Sequence, residues 1–303
     1  MRRILILFVD GVGLGLDDPD TNPFVAANTP NLTMLMSGHK LVSEQIAFSD
    51  NYSSFVPTDA CMGVDGIPQS ATGQAAIMAG INVPSYIGKH WGPKPSGEIR
   101  ELLRRDNILK TICRSNRSVM LANAYPPSFF QHLQSGRRLP SSIQFAFQTT
   151  GARFFTIEDL RADQALASDF TGEGWRSYLG FEDIPILSLH EAGKRLALLA
   201  QETDLLLFDY WQTDVVGHRG SMNVAIDTIE RLDAVIGGII ASWSETDGLI
   251  VIVSDHGNLE DKTTRRHTCN KVPVLLFGDG HSGVASAIND LTDIAPALIE
   301  YLV

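Results

Sequence analysis

The sequence predicts an α/β fold, a three-layer sandwich with a mainly parallel sheet between helices and a small inserted cap. Three observations lead there. Short runs that are apolar at every position recur along the chain, as strands covered on both faces require. Segments with apolar residues at helical spacing separate several of these runs. The chain has 303 residues, of which 44% are hydrophobic, enough to bury a core without disulfide or metal staples. At roughly 150 residues per domain, that length suits one large domain or a core with an insert.

Arg3–Val9 (RILILFV) is the first strand, stopped by Asp10-Gly11. Pro68–Gly80 (PQSATGQAAIMAG) is a small-residue helix with Ser70 near its start. Val83–Glu98 is irregular, a further core helix lies near Ile108–Cys113, and a strand region covers Met120–Tyr125. Residues 126–185 are richer in Arg, Ser, Thr, Phe and Gly and break the rhythm, so they are expected to form a cap or lid on a core made of 1–125 and 186–303. Ser188–Thr203 opens with Ser188 and Glu191 at capping-box spacing. Leu205–Phe208 and Leu249–Val253 are strands, with a helix over Met222–Trp243 between them. That helix repeats Ile229, Leu232, Val235, Ile236 and Ile239 on one face. Val272–Phe277 is the last strand and Leu291–Leu302 the closing helix.

Charge narrows the partners. With 24 Lys and Arg against 35 Asp and Glu, the net charge is −11, which disfavours nucleic acid as a partner. No apolar run approaches the roughly 20 residues that span a bilayer, so no membrane role is expected. The opening stretch lacks a small-residue cleavage site and does not read as a signal peptide. Cys61, Cys113 and Cys269 are odd in number and far apart, which fits a reducing cytoplasm better than a disulfide framework.

Ligands of open α/β sheets collect at the carboxyl ends of strands, and several strands here end in metal-binding residue types. Asp10 follows the first. Asp214 and His218 (DVVGH) follow the Leu205–Phe208 strand, Asp255 and His256 follow Leu249–Val253, and His267 precedes the last strand. Any one of these is commonplace, as a turn former, a helix cap or a solvated loop. Together, three carboxylates and three imidazoles at one sheet edge suit a divalent ion such as Zn²⁺ or Mn²⁺. Ser70 could be a plain helix cap. Alternatively it is a nucleophile at a helix terminus that favours anions, needing activation because a free hydroxyl is weak at neutral pH.

These pieces, Asp10-Gly11, SATGQ, DVVGH, SDHGN and HTCNKVP, occur in one order along most of the chain. In that order they resemble the alkaline phosphatase superfamily, and within it the metal core of cofactor-independent phosphoglycerate mutase and phosphopentomutase. The resemblance implies an alkaline-phosphatase-like sandwich holding two divalent metal ions, Mn²⁺ or Zn²⁺. Asp214, His218 and His267 would bind one ion, and Asp10, Ser70, Asp255 and His256 the other. Ser70 would take up the phosphoryl group, with Thr72 as the competing nucleophile.

The sequence departs from the mutase pattern in two places. Only about 25 residues separate the Ser70 helix from the next core helix, too few for the mutase's Arg- and Lys-rich insert, and MLANAY (Met120–Tyr125) has no lysine. The expectation is therefore a metal-dependent phosphatase acting on a small phosphomonoester through a phosphoserine. The alternatives are an intramolecular mutase, then a phosphodiesterase, and last a non-catalytic metal-binding protein. Lys89, His90, Arg137, Arg138 and Arg153 are candidate phosphate-binding side chains, each of which could equally be a solvated basic group.

Overall fold

A computed structural model describes residues 2–244 and 248–303. Seven strands, β1 (Ile4–Val9), β2 (Phe48–Ser49), β3 (Ser53–Thr58), β4 (Val119–Leu121), β5 (Leu205–Tyr210), β6 (Leu249–Val253) and β7 (Val272–Gly278), form one sheet in the order β2-β3-β7-β6-β1-β5-β4. The β4-β5-β1-β6 part is parallel, whereas β7, β3 and β2 each run antiparallel to the neighbour before them. The sheet is thus mixed, with a parallel centre and an antiparallel flank. Parallel pairing needs a long crossover, usually a helix. A helix of 21 residues, Met222–Ser242, precedes β6, but among the described residues no helix lies between β6 and β7, so the chain turns back instead.

Alternation along each strand divides the core. Ile4, Ile6, Phe8, Leu205, Leu207 and Val251 face the layer that holds the Ser70–Ala79 helix. Leu5, Leu7, Val9, Leu206, Phe208 and Ile250 face the Leu189–Ala200 and Met222–Ser242 helices. Ser188 caps the first of these in a capping box with Glu191, as the spacing predicts. Among the described residues no helix is long and apolar enough to cross a membrane.

Residues 126–185 divide among three places, Leu166 and Phe170 joining the core on the Leu189–Ala200 side of the sheet. Phe129, Ile143, Phe147 and Phe154 join the core beside the Ser70 helix, and Ser142 Oγ donates 2.7 Å to the Ala71 carbonyl. Farther along, Ile157, Leu160, Trp175 and Ile184 form a small cluster of their own with Ala124.

The helices Leu189–Ala200 and Met222–Ser242 cross at glycine. A Cβ on Gly193 would meet the Val235 carbonyl oxygen at 2.0 Å and the Ile239 nitrogen at 2.8 Å, both backbone atoms that cannot swing away. Gly193→Ala is therefore expected to force the helices apart and cost about 1–3 kcal/mol of stability. Urea unfolding measures this: the midpoint should fall, and an unchanged midpoint would show that the crossing tolerates a side chain.

Candidate active site

The strand ends build the site. β1 delivers Asp10, β5 leads through a short turn to the Gln212–Arg219 helix with Asp214 and His218, and β6 delivers Asp255 and His256. Because β7 runs antiparallel to β6, its beginning lies at the same sheet edge as the end of β6, and this brings His267 to the others. The Ser70 helix closes the site from one side. Gly73 lets it approach, since a Cβ there would lie 2.7 Å from the Asp255 carbonyl oxygen.

The seven residues expected at the metal site converge. His256 Nε2 lies 3.0 Å from Ser70 Oγ, 3.3 Å from Asp10 Oδ1 and 3.7 Å from Asp255 Oδ2. His218 Nε2 lies 3.1 Å from His267 Nε2 and 3.4 Å from Asp214 Oδ2, and His267 Nε2 lies 3.5 Å from Asp214 Oδ1. The two halves touch where the His256 and His267 rings stack at 3.8 Å. Asp10, Asp255 and His256 form one compact donor group, and Asp214, His256 and His267 another. The rings are aimed by their far nitrogens: His218 Nδ1 meets the Arg265 carbonyl at 2.6 Å and His267 Nδ1 the Pro68 carbonyl at 2.8 Å. Such bonds leave Nε2 free to bind. Thr72 is turned away, its buried hydroxyl 3.0 Å from the Gln69 carbonyl.

The donor set fits divalent cations. Asp10 Oδ1 and Asp255 Oδ2 are buried without a hydrogen-bond partner, although both face the imidazoles. Burial, reinforced by the charge of Asp10, pushes the Asp255 carboxyl upward. Burial opposes charging His256, but Asp255 and Asp10 outweigh it and push that ring up to about 10. This pocket of negative charge therefore draws positive charge to itself, and oxygen and imidazole donors are the ligand types a divalent ion takes.

Beside the cluster lies a cavity of about 920 Å³. Of the five basic side chains expected at a phosphate, only Arg138 lines it, with its guanidinium 5.1 Å over the Phe129 ring. Lys89 instead lies over Trp91, His90 Nε2 sits 3.1 Å from the Val64 carbonyl, and Arg153 pairs with Asp159 at 2.6 Å. Arg137 is exposed and does not line the cavity.

Sequence reasoning passed over five supporting residues. Lys94 lines the cavity from the loop ahead of the Gly97–Arg105 helix, and Asp209 lines it from the end of β5. Burial, with Asp10 adding and Lys94 opposing, raises the Asp209 carboxyl to about 7. Gln74 Nε2 donates 3.2 Å to Asp10 Oδ2, and Asn258 Nδ2 donates 2.7 Å to Asp214 Oδ1. Glu260, 1% exposed, ties three segments together. Its carboxylate accepts from Gly13 N at 2.9 Å, Asn258 N at 2.7 Å, Asn270 Nδ2 at 3.0 Å and the Thr268 hydroxyl. The available signal was its place two residues beyond Asn258 in SDHGNLE, inside the segment already singled out.

Glu260→Ala would leave these buried donors unpaired, and a stability loss of about 2–5 kcal/mol is expected. Glu260→Gln keeps one acceptor oxygen and should lose less. Guanidinium unfolding of the three proteins checks the order native, Gln, Ala; equal midpoints would show that the carboxylate does not organise the site.

The chain is similar to several known proteins. The Metalloenzyme superfamily profile matches residues 188–303, the part that carries Asp214, His218, Asp255, His256 and His267. A 2,3-bisphosphoglycerate-independent phosphoglycerate mutase of Rhodopseudomonas palustris is 35% identical over 127 residues, covering 39% of this chain and 25% of the relative. One from Haloquadratum walsbyi is 25% identical over 215 residues, covering 64% of this chain and 41% of the relative. The chain thus spans between about a quarter and two-fifths of the length of these relatives. The alkaline phosphatase of the Antarctic bacterium TAB5 superposes with a TM-score of 0.57 at 14% identity, covering 100% of this chain and 98% of that one. The Leishmania mexicana phosphoglycerate mutase superposes with a TM-score of 0.51 at 12% identity, covering 99% of this chain and 95% of that one. The C-terminal part of the chain, residues 188–303, thus matches the Metalloenzyme superfamily, and the whole chain has an alkaline-phosphatase-like fold that brings the donor set together at one sheet edge.

Proposed function

We propose that this chain hydrolyses a small phosphomonoester through a phosphoserine on Ser70, using two divalent metal ions. The observation that carries the reading is the 3.0 Å approach of Ser70 Oγ to His256 Nε2, which sets a hydroxyl at a helix start against the carboxylate and imidazole cluster. Asp10, Ser70, Asp255 and His256 would hold one ion, and Asp214, His218 and His267 the other. Mn²⁺ and Zn²⁺ are the ions proposed, since both accept these donors. When bound, such ions supply positive charge that polarises the phosphoryl group and makes the serine hydroxyl a better nucleophile.

The remaining chemistry belongs to the chain. Ser70 Oγ attacks phosphorus in line, the ester P–O bond breaks, and the departing alcohol takes up a proton in place of the one the serine gives up. Water then attacks the phosphoserine, releasing inorganic phosphate and restoring the hydroxyl. The positive end of the Ser70–Ala79 helix favours the transferring anion. Lys94 and Arg138 add cations on the cavity side. Asn258 and Gln74 hold Asp214 and Asp10 in place through their amides. The substrate is a small phosphorylated molecule, with neither nucleic acid nor membrane as partner. The odd number and wide sequence spacing of the cysteines favour a cytoplasmic setting.

A second reading has its own support. The curated relatives are phosphoglycerate mutases, and an intramolecular transfer would use the same phosphoserine, with a second substrate hydroxyl in place of water. Release of inorganic phosphate separates hydrolysis from positional transfer of a labelled phosphate.

The native chain should turn over 4-nitrophenyl phosphate when Mn²⁺ or Zn²⁺ is added, and a chelator should stop it. Ser70→Ala and His218→Ala should each lower kcat/KM by about 10³-fold or more. Full activity in both variants would contradict the mechanism.

A further inference from the structure

One buried carboxylate outside the proposed ligand set has an unused oxygen. Asp209 is 3% exposed, it lines the cavity, and its Oδ1 has no hydrogen-bond partner. Its position is not slack. Asn123 grips its backbone from both sides, accepting from the Asp209 N–H at 2.8 Å and donating to its carbonyl at 2.9 Å. A buried carboxylate oxygen on a backbone so fixed, without a donor, is disfavoured unless a ligand completes it.

Charge around the cavity says what that ligand brings. Lys94 and Arg138 are the two cations among the cavity-lining residues and lie within charge range of each other, as Lys94 does of Asp209 and Asp10, so they are the cations available to a phosphoryl group bound there. The wall made by residues 168–179 contributes Asp169, Glu173 and the Trp175 ring, and no cation. The carboxylate of Asp169 is already engaged by the Gly172 and Gly174 N–H groups at 2.9 and 2.6 Å. A substrate with its phosphoryl group at Ser70 and the two cations would place the rest of the molecule against acids and an aromatic ring. A second carboxylate or phosphate there would find like charge. A hydroxyl finds an acceptor in Asp209, because a carboxyl group hydrogen-bonds a hydroxyl whether ionised or not.

We propose that Asp209 is a specificity-determining residue that pairs with a hydroxyl of the substrate's alcohol portion, so that the cavity selects phosphomonoesters of uncharged, hydroxyl-bearing alcohols over those with a second anionic group. The inference rests on the phosphoryl-transfer reading above. The residues it invokes lie outside the proposed metal cluster.

Glycerol 3-phosphate and 3-phosphoglycerate make a matched pair, differing at one end as CH₂OH against COO⁻. With the full chain and added Mn²⁺, total turnover is read as free phosphate plus any isomerised ester. The native protein should favour glycerol 3-phosphate in kcat/KM by about 10-fold or more. Asp209→Asn, which keeps the shape and removes the acid, should narrow that ratio by about 10-fold, a change in selectivity that a merely structural role would not produce. Glu173→Gln, at an exposed position, should move the ratio the same way and serves if the Asp209 variant does not fold. A native preference for 3-phosphoglycerate, or a ratio unmoved in the variants, overturns the inference. If Ser70-dependent hydrolysis of 4-nitrophenyl phosphate persists alongside either result, the reading of the reaction stands and only the specificity assignment falls. Absence of turnover on every ester removes both.

Discussion

Three carboxylates held against one another at a sheet edge are the constraint on which the rest of the molecule depends. Asp10, Asp214 and Asp255 would repel if left alone, and Asp10 and Asp255 each keep a buried oxygen that has no hydrogen-bond partner and faces the His256 ring. Like charges so placed persist only where positive charge is supplied. The imidazoles provide part of it, and Asp255 and Asp10 push His256, which lies between them, well above its ordinary range. The same arrangement of carboxylates and imidazoles suits divalent cations, and the Ser70 hydroxyl sits at its margin.

The sheet makes this gathering possible, and its antiparallel flank is as necessary as its parallel centre. β1, β5 and β6 point their ends the same way, as parallel neighbours must. A parallel β7 would have carried His267 to the opposite edge. By reversing, β7 starts where β6 stops, and Glu260 then bonds the β1 loop to both the Asn258 and the Thr268–Asn270 segments. Geometry that brings ligands together from distant parts of the chain is thus fixed by a carboxylate that has no direct place among them.

What could be read from the sequence follows from what chemistry is local. Strands with apolar residues on both faces, the Ser188 cap and the acidic or imidazole residues after each strand are local patterns, and Asp10, Asp255 and His256 could be placed at an edge from their position alone. Strand direction is not local. VPVLLF looks the same whether parallel or antiparallel, and only the missing crossover before it tells them apart. The basic side chains show the same limit. Lys89, His90 and Arg153 have the composition of a phosphate site, but each finds a neighbour elsewhere, whereas Lys94 reaches the cavity from an irregular loop with no pattern to mark it. Asp209 was hidden for another reason: it reads as the polar end of an apolar strand, and its meaning lies in an oxygen left without a donor.

The most direct measurement is an anomalous difference map from crystals grown with excess Mn²⁺. The account predicts two peaks at the sheet edge, one against Asp10, Ser70, Asp255 and His256 and the other against Asp214, His218 and His267. A saturated crystal with no peak among these side chains, or with Ser70 Oγ out of reach of any ion found there, would contradict it.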